Sequence, residues 1–258
     1  MSDTINRTFT LEGQTRVSRM GYGAMRLTGQ PGNFGPFEDW EAGISLLRRA
    51  SELGVDLFDS AHAYGPQTAD QIVGEALGGR KAILATKGGV SKSAPDRILV
   101  DGSRDTLHSQ IDQALANLRR DRIDLFQLHR VDPDIAIEES VAALAEAQAD
   151  GRIRHIGLSN VTRKQLDRAL AVAPIASVQN RYNMAEAGED DLVDYTAARG
   201  IAFIPYGPLG ANPMQKGAGL DPQDALAWLL KRSPNIIVIP GTTRIAHLEE
   251  NIAVWGQL

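Results

Sequence analysis

Four side chains in the first half of the chain could do chemistry together. Asp59 and Tyr64 stand five residues apart in "LFDSAHAYG", Lys87 closes "AILATK", and His129 closes "DLFQLH". A tyrosine hydroxyl is a weak acid with an ordinary pKa of about 10. A lysine ammonium beside it favours the phenolate and lowers that value. A carboxylate beside the ammonium keeps it charged, and in return gains the partner that a buried acid requires. An imidazole at the same spot can hydrogen-bond the reacting oxygen. Brought into contact, the four would make a proton donor of tuned strength beside an oxygen-binding pocket, which suits general acid catalysis on a carbonyl.

Each residue also has a plainer reading. A loop tyrosine is commonly a packing residue. A strand-end lysine is a surface charge or, in some barrels, a Schiff-base nucleophile as in aldolases. A strand-end histidine is often hydrogen-bonded structure. Four compatible groups on three successive strand ends favour the joint chemical reading.

The elements that must position them follow from apolar periodicity. Short apolar runs rich in strand formers alternate with amphipathic runs of ten or more residues. The strands are expected in "MGYGAM", "DLFDSA", "AILATK", "DLFQLH", "IRHIGLS", "IASVQN", "AFIPYG" and "IIVIPG". The helices are expected near 38–53, 67–78, 105–119, 137–150, 162–172, 189–199, 221–233 and 244–255. Strands with successive apolar residues fit a parallel sheet covered by helices. Eight strand–helix pairs in 258 residues predict a (β/α)8 barrel. A doubly wound sheet is the alternative, but "GYGAMR" carries Arg26 where the dinucleotide fingerprint needs its third glycine. The opening "FTLEGQTRVS" predicts a β-hairpin turning at Glu12-Gly13. No linker or composition break divides the chain, so residues 1–258 are expected to form one barrel domain.

In such a barrel the C-terminal strand ends share one rim, where sites are built. Besides the four residues above, the fifth strand brings Ser159 and Asn160 there, and the sixth Gln179 and Asn180. The seventh brings Tyr206, and the eighth leads to Gly241, Thr242 and Thr243. Thr162 with Gln165 also fits a helix capping box, and Tyr206 a core aromatic. The Gly-rich stretch 207–220 reads as a loop.

Composition narrows the function classes. Hydrophobic residues at 43% support a packed core. With 27 basic and 32 acidic residues and no basic block, a nucleic-acid partner is not expected. The absence of cysteine excludes disulfides and thiolate metal sites and suits a reducing cytoplasm; no metal ligand set stands out. The start lacks an apolar signal core, and no run is long enough to span a bilayer.

Read together, these motifs resemble the aldo-keto reductase family over nearly the whole chain. "DSAHAYG" is similar to the family's Asp-x-Ala-x-x-Tyr-Gly signature, with Ser60 where threonine is commoner. "ATKGG", "IDLFQLH", "GRIRHIGLSN", "VQNRYN" and "IPYGPLG" follow in the family's order. The resemblance implies a (β/α)8 barrel holding a nicotinamide cofactor at the C-terminal rim. It implies Tyr64 as proton donor, Lys87 and Asp59 lowering its pKa, and His129 orienting the substrate carbonyl. Ser159, Asn160 and Gln179 would bind the carboxamide, and Tyr206 would stack on the nicotinamide. Gly23, Ala24 and Met25 would line the entrance, with Gly207 and Leu209 among the further cofactor contacts.

At the cofactor tail this chain departs from the family's Ile-Pro-Lys-Ser pattern. It reads "VIPGTTRIAHLEEN", with Gly241 at the lysine position and His247 near the usual arginine. Arg244 is expected to take the 2′-phosphate, aided by Thr242 and Thr243 at the helix start. Glu250 and Asn251 match the adenine-contacting pair. NADPH is the expected cofactor, with NADH as the alternative. The chain ends soon after its last helix, so an open substrate pocket is expected, shaped by Met25, Trp40, Tyr64, His129 and the 207–220 loop. The segments 128–160 and 177–183 resemble a bacterial branch that includes pyridoxal reductases. The expected partner is a small carbonyl compound (pyridoxal, or an aromatic or aliphatic aldehyde), with no obligate protein partner. A cofactor-binding regulatory subunit of the same fold is the alternative function.

Overall fold

The computed structural model describes residues 5–184, 188–207 and 221–258. An N-terminal hairpin, β1 (Thr8–Leu11) and β2 (Thr15–Ser18), precedes the barrel and pairs Leu11 with Thr15 across the expected turn. Glu12 and Gly13 both adopt positive φ there, a backbone that glycine takes without strain. A seven-stranded parallel sheet then curls around the molecule. Its strands are β3 (Tyr22–Gly23), β4 (Leu57–Asp59), β5 (Ile83–Gly88), β8 (Ile123–Leu128), β9 (Ile153–Ser159), β10 (Ser177–Gln179) and β11 (Ala202–Phe203), hydrogen-bonded in sequence order.

The expected eighth strand is shorter than its apolar run suggests. Val238 bridges to Met20 on one side and Ile236 to Phe203 on the other, which closes the ring. The Gly21 N–H donates to Val238 O at 2.8 Å, and the Ile237 N–H to Phe203 O at 2.9 Å. Pro240 has no N–H to carry the ladder further. The chain is therefore a (β/α)8 barrel, its last staves joined by single bridges.

Helices α1 (Trp40–Glu52), α2 (Thr68–Leu77), α3 (Arg104–Leu118) and α4 (Ile137–Ala149) cover the outside. So do α5 (Arg163–Leu170), α6 (Asp190–Ala197), α7 (Pro222–Arg232) and α8 (Ile245–Ala253). Their ends carry local signals. Ser103 caps α3, Asp221 caps α7 ahead of Pro222, and Thr162 forms the expected capping box with Gln165. One pair was not expected: β6 (Val90–Ala94) and β7 (Arg97–Val100) form a second hairpin directly after β5, turning at Pro95-Asp96.

Strand periodicity sorts the side chains. Phe58, Leu84, Phe126, Ile156, Val178 and Phe203 face outward into the layer shared with the helices. Leu57, Ala85, Leu125 and Ile237 face the lumen, where Leu11 and Val17 of the N-terminal hairpin pack against them and plug the floor. Successive side chains alternate faces. The lumen row therefore continues upward through Asp59, Lys87, Gln127, Ser159 and Gln179. The polar residues of an otherwise apolar barrel share one face near one end. Among the described residues, no helix is long and apolar enough to cross a membrane.

Candidate active site

The structure brings the four sequence-predicted residues together. Lys87 is 0% exposed and Asp59 2%. The Lys87 ammonium donates to Asp59 Oδ2 at 2.6 Å, to the Ser60 carbonyl at 2.8 Å and to the Tyr64 hydroxyl at 3.4 Å. It also lies 5.0 Å from the centre of the Tyr64 ring. The His129 ring meets Tyr64 edge-on, with centroids 5.9 Å apart. The local fold explains this convergence. Asp59 and Lys87 end neighbouring parallel strands, and the His62 N–H donates to Lys87 O at 2.9 Å. That bond carries the chain after β4 along β5, and Tyr64 turns back over the ammonium. The His129 N–H donates to Gly88 O at 2.8 Å, which fixes the imidazole at the neighbouring strand end.

The other oxygen of Asp59 is also occupied. Oδ1 accepts from Gln127 Nε2 and from Gln179 Nε2, both at 3.0 Å. A carboxylate buried to this degree is tolerable because each oxygen is hydrogen-bonded and an ammonium balances the charge. Gln127 was not among the expected site residues. Its signal was available: in "LFQLH" it sits two before His129, on the same strand face, among apolar neighbours.

The electrostatics correct one expectation. Burial, the largest influence, pushes the Tyr64 phenol above its ordinary value; the Lys87 charge pulls it down and the Asp59 charge pushes it up. Lys87 and Asp59 thus act in opposite directions on Tyr64, where both were expected to lower it. Burial also holds the His129 imidazole well below its usual value, reinforced by the charges of Lys87, Arg130, Lys92 and His62. Its Nδ1 is buried with no hydrogen-bond partner among the described residues. At neutral pH the site therefore presents a protonated phenol and a neutral imidazole, not an imidazolium.

A second buried acid lies one layer behind. Asp70 on α2 is 1% exposed and accepts from the Thr86 hydroxyl at 2.9 Å. Burial pushes its pKa up to about 6, against the hydrogen bond from Thr86.

The remaining expected positions show how far the rim fits a nicotinamide dinucleotide. Asn160 adopts positive φ and gathers the neighbourhood. Its amide donates to His129 O and to Ser159 Oγ, both at 3.0 Å, and its Oδ1 accepts from the Tyr206 hydroxyl at 2.7 Å. Ser159, Asn160, Gln179 and Tyr206 thus offer hydroxyl and amide groups beside Tyr64 and His129, the donor set that a carboxamide needs. Gln179 already commits its Nε2 to Asp59.

At the far end, α8 starts without a side-chain cap, and the Arg244 guanidinium makes no hydrogen bond or ion pair among the described residues. Uncapped N–H groups and a free guanidinium are what a phosphate requires. Thr243, His247 and Glu250 are exposed along the same stretch, and Asn251 is half-buried. The Thr242 hydroxyl is less available, since it accepts from the Arg244 N–H at 3.1 Å and sits 6% exposed.

Three expected contacts are different in kind. Ala24 is fully buried and begins the turn after β3. Gly23 and Gly241 serve a close approach of backbones: a Cβ at Gly23 would lie 2.7 Å from Ile239 O, and one at Gly241 2.6 Å from Gly23 O. Met25 stays half-buried at the entrance. Trp40 does not line the pocket. It begins α1 on the outer layer, where its indole N–H donates to Glu75 of α2 at 3.4 Å. Gly207 has positive φ, and its carbonyl accepts from the Asn183 amide at 3.1 Å. Leu209 and the rest of the expected loop through residue 220 lie outside the described residues.

Comparisons with known proteins identify the family. A sequence model of the Aldo/keto reductase family matches residues 19–224. Pyridoxine 4-dehydrogenase of Escherichia coli is 42% identical over 266 residues, covering 96% of this chain and 92% of that protein. Among solved structures, glycerol dehydrogenase from Gluconobacter oxydans superposes with a TM-score of 0.85 at 24% identity, over 96% of this chain and 90% of that one. An aldo-keto reductase from Klebsiella pneumoniae in complex with NADPH gives 0.81 at 23% identity, over 98% and 90%. With the family model spanning most of the chain and a 42% identical relative covering nearly all of it, this protein belongs to the aldo/keto reductase family.

Proposed function

We propose that the chain is an NADPH-dependent carbonyl reductase, converting an aldehyde or ketone to the alcohol with Tyr64 as general acid. The observation that carries this reading is the contact of four groups: the Lys87 ammonium reaches Asp59 at 2.6 Å and the Tyr64 hydroxyl at 3.4 Å, and the His129 ring meets Tyr64 edge-on. Burial lowers the His129 pKa and raises that of Tyr64, which favours a neutral imidazole and a protonated phenol. Bound cofactor supplies the hydride that the carbonyl carbon accepts. Tyr64 delivers the proton to the carbonyl oxygen, and Lys87 stabilises the phenolate left behind. Asp59 holds Lys87 in place. The imidazole N–H of His129 donates to the same oxygen and fixes the carbonyl against Tyr64.

Ser159, Asn160 and Gln179 orient the carboxamide, Tyr206 covers the ring, and Arg244 with the start of α8 takes the 2′-phosphate. The Arg244 guanidinium, without a partner among the described residues, and the NADPH-bound Klebsiella relative support NADPH over NADH. The cysteine-free chain suits a reducing cytoplasm, and we assign it one barrel domain that needs no protein partner.

Because burial holds the phenol above its ordinary value, the acid form persists through neutrality. Reduction should stay constant as pH rises from 6 to 9 (a range of about three units) and fall only as Tyr64 ionises. A panel of aldehydes and ketones, run with NADPH and with NADH while dihydropyridine absorbance is followed, tests the reading. The Escherichia coli relative is named for pyridoxine, so pyridoxal heads the panel. Turnover with at least one carbonyl, faster with NADPH, is expected. Cofactor binding without turnover on any of them would point to a regulatory subunit instead.

A further inference from the structure

We infer that Gln127 is a positioning residue for this reduction: it holds the Asp59 carboxylate facing Lys87 while Gln179 serves the cofactor. The inference rests on the carbonyl-reductase reading and adds a residue to it. Asp59 Oδ1 accepts from two amides at the same distance, Gln127 Nε2 and Gln179 Nε2, both at 3.0 Å. Gln179 ends β10 beside Ser159 and Asn160, where the carboxamide is to be bound. Gln127 lies deeper. It is 0% exposed and pairs in register with Lys87 on one side and Gly157 on the other. When Gln179 turns to a ligand, Gln127 is the donor that stays.

Two further features show that the position is built for this contact. Gln127 Oε1 is buried with no hydrogen-bond partner among the described residues. An apolar side chain of similar size would fill the space without that cost, so its amide nitrogen is what the site uses. The nitrogen must be the atom facing Asp59, because a carboxylate only accepts. Next to it, Gly157 leaves the room: a Cβ there would lie 2.8 Å from Gln127 Cγ and 2.4 Å from Ser177 Oγ. The glycine of "GLSN" thus allows the glutamine to lie flat across the lumen toward Asp59.

The physical consequence is electrostatic. The amide N–H places a positive dipole end against the Asp59 charge, and that charge pushes the Tyr64 phenol up. Removing the dipole strengthens the push. The test uses Gln127→Leu and Gln127→Met in the full chain, with two readouts. In cofactor-free protein, tyrosinate absorbance is titrated and the Tyr64 contribution isolated by subtracting Tyr64→Phe. The midpoint should rise by roughly half a pH unit in both variants. In turnover, kcat should fall by about threefold or less, the factor that half a pKa unit is worth. The KM for aldehyde and the NADPH Kd, measured by fluorescence, should be unchanged. Gln179→Leu should instead raise the NADPH Kd.

An unchanged Tyr64 midpoint in both Gln127 variants overturns the inference. So does a lower melting temperature with kcat intact, because that is what a purely structural residue would give. If the parent reduces no carbonyl, the enzyme reading falls, while the absorbance titration still decides the role of Gln127.

Discussion

Two buried cations sit at opposite ends of this barrel, and their surroundings differ in kind. At the floor, Arg19 is 1% exposed and has no carboxylate partner among the described residues. Its guanidinium donates only to backbone carbonyls: Ile236 at 2.8 Å, Asn6 at 2.9 Å, Leu230 at 2.7 Å and Ser233 at 2.6 Å. These tie the N-terminal segment, the end of α7 and the closing strand to one side chain. Beside it on the floor, the His155 ring bridges Glu12 and Thr15 and fastens the hairpin plug. At the rim, Lys87 meets a carboxylate and a phenol, both titratable, and the neighbouring His129 and Gln127 keep buried atoms without a partner among the described residues. At the floor, the donors of Arg19 are taken up by backbone carbonyls, which do not titrate. The rim is coupled and incomplete. Saturation suits stability, whereas coupled groups with spare hydrogen-bonding capacity suit chemistry.

The contrast can be broken by substitution at either end. The largest effect is expected at the rim. Lys87→Met should reduce turnover by about 1,000-fold, some 4 kcal/mol of barrier, and should also cost stability because Asp59 is left charged and buried. Steady-state kinetics with denaturant unfolding separates the two losses. Arg19→Met should do the reverse, costing about 3–5 kcal/mol of stability as four carbonyls lose their donor. Its kcat per folded molecule should match the parent. A kinetic defect in Arg19→Met would show that the floor is not independent of the site.

Asp70 sharpens the comparison from just behind the rim. Its folded value of about 6 exceeds the unfolded carboxylate value near 3.9, so burial favours the neutral form. That stabilisation is present below the unfolded value and is lost as pH rises toward the folded one. Asp70→Asn should therefore gain stability relative to the parent between about pH 4 and pH 7, by roughly 2–3 kcal/mol, read from paired unfolding curves. A pH-independent difference would contradict it. The smallest effect is expected at the hairpin latch. His155→Gln, which keeps at most one of the two floor contacts, should cost about 1–2 kcal/mol and leave kinetics unchanged.

Much of this was legible in the chain itself, because the barrel writes its period into the strands. Asp59, Lys87 and His129 each close an apolar run, and Tyr64 follows at loop distance, so the rim cluster could be assembled from strand ends alone. The features that escaped have physical reasons. The β6–β7 hairpin stands largely in the open, with Ile98 and Leu99 exposed, so no buried face imposed a clear alternation on "VSKSAPDRILV". The eighth strand looked complete because its residues are apolar, yet Pro240 ends its pairing. Gln127 lies inside β8 and not at its end, two residues before His129 on the same face, so the strand-end pattern does not mark it. Trp40 was misplaced because size and proximity to a rim loop suggest a pocket, whereas its place in the first turn of α1 sets it against α2. Opposite influences of Lys87 and Asp59 on one phenol need their relative distances, which spacing in the chain does not contain.

The central claim is that the proton comes from Tyr64, and the most direct measurement is single-turnover reduction of an aldehyde by Tyr64→Phe with NADPH affinity determined on the same sample. The account predicts a rate lower by about 100- to 10,000-fold with Kd within about twofold of the parent, since the phenol touches Lys87 and His129 and not the phosphate end. Parental turnover in a variant that has no hydroxyl to give would contradict it.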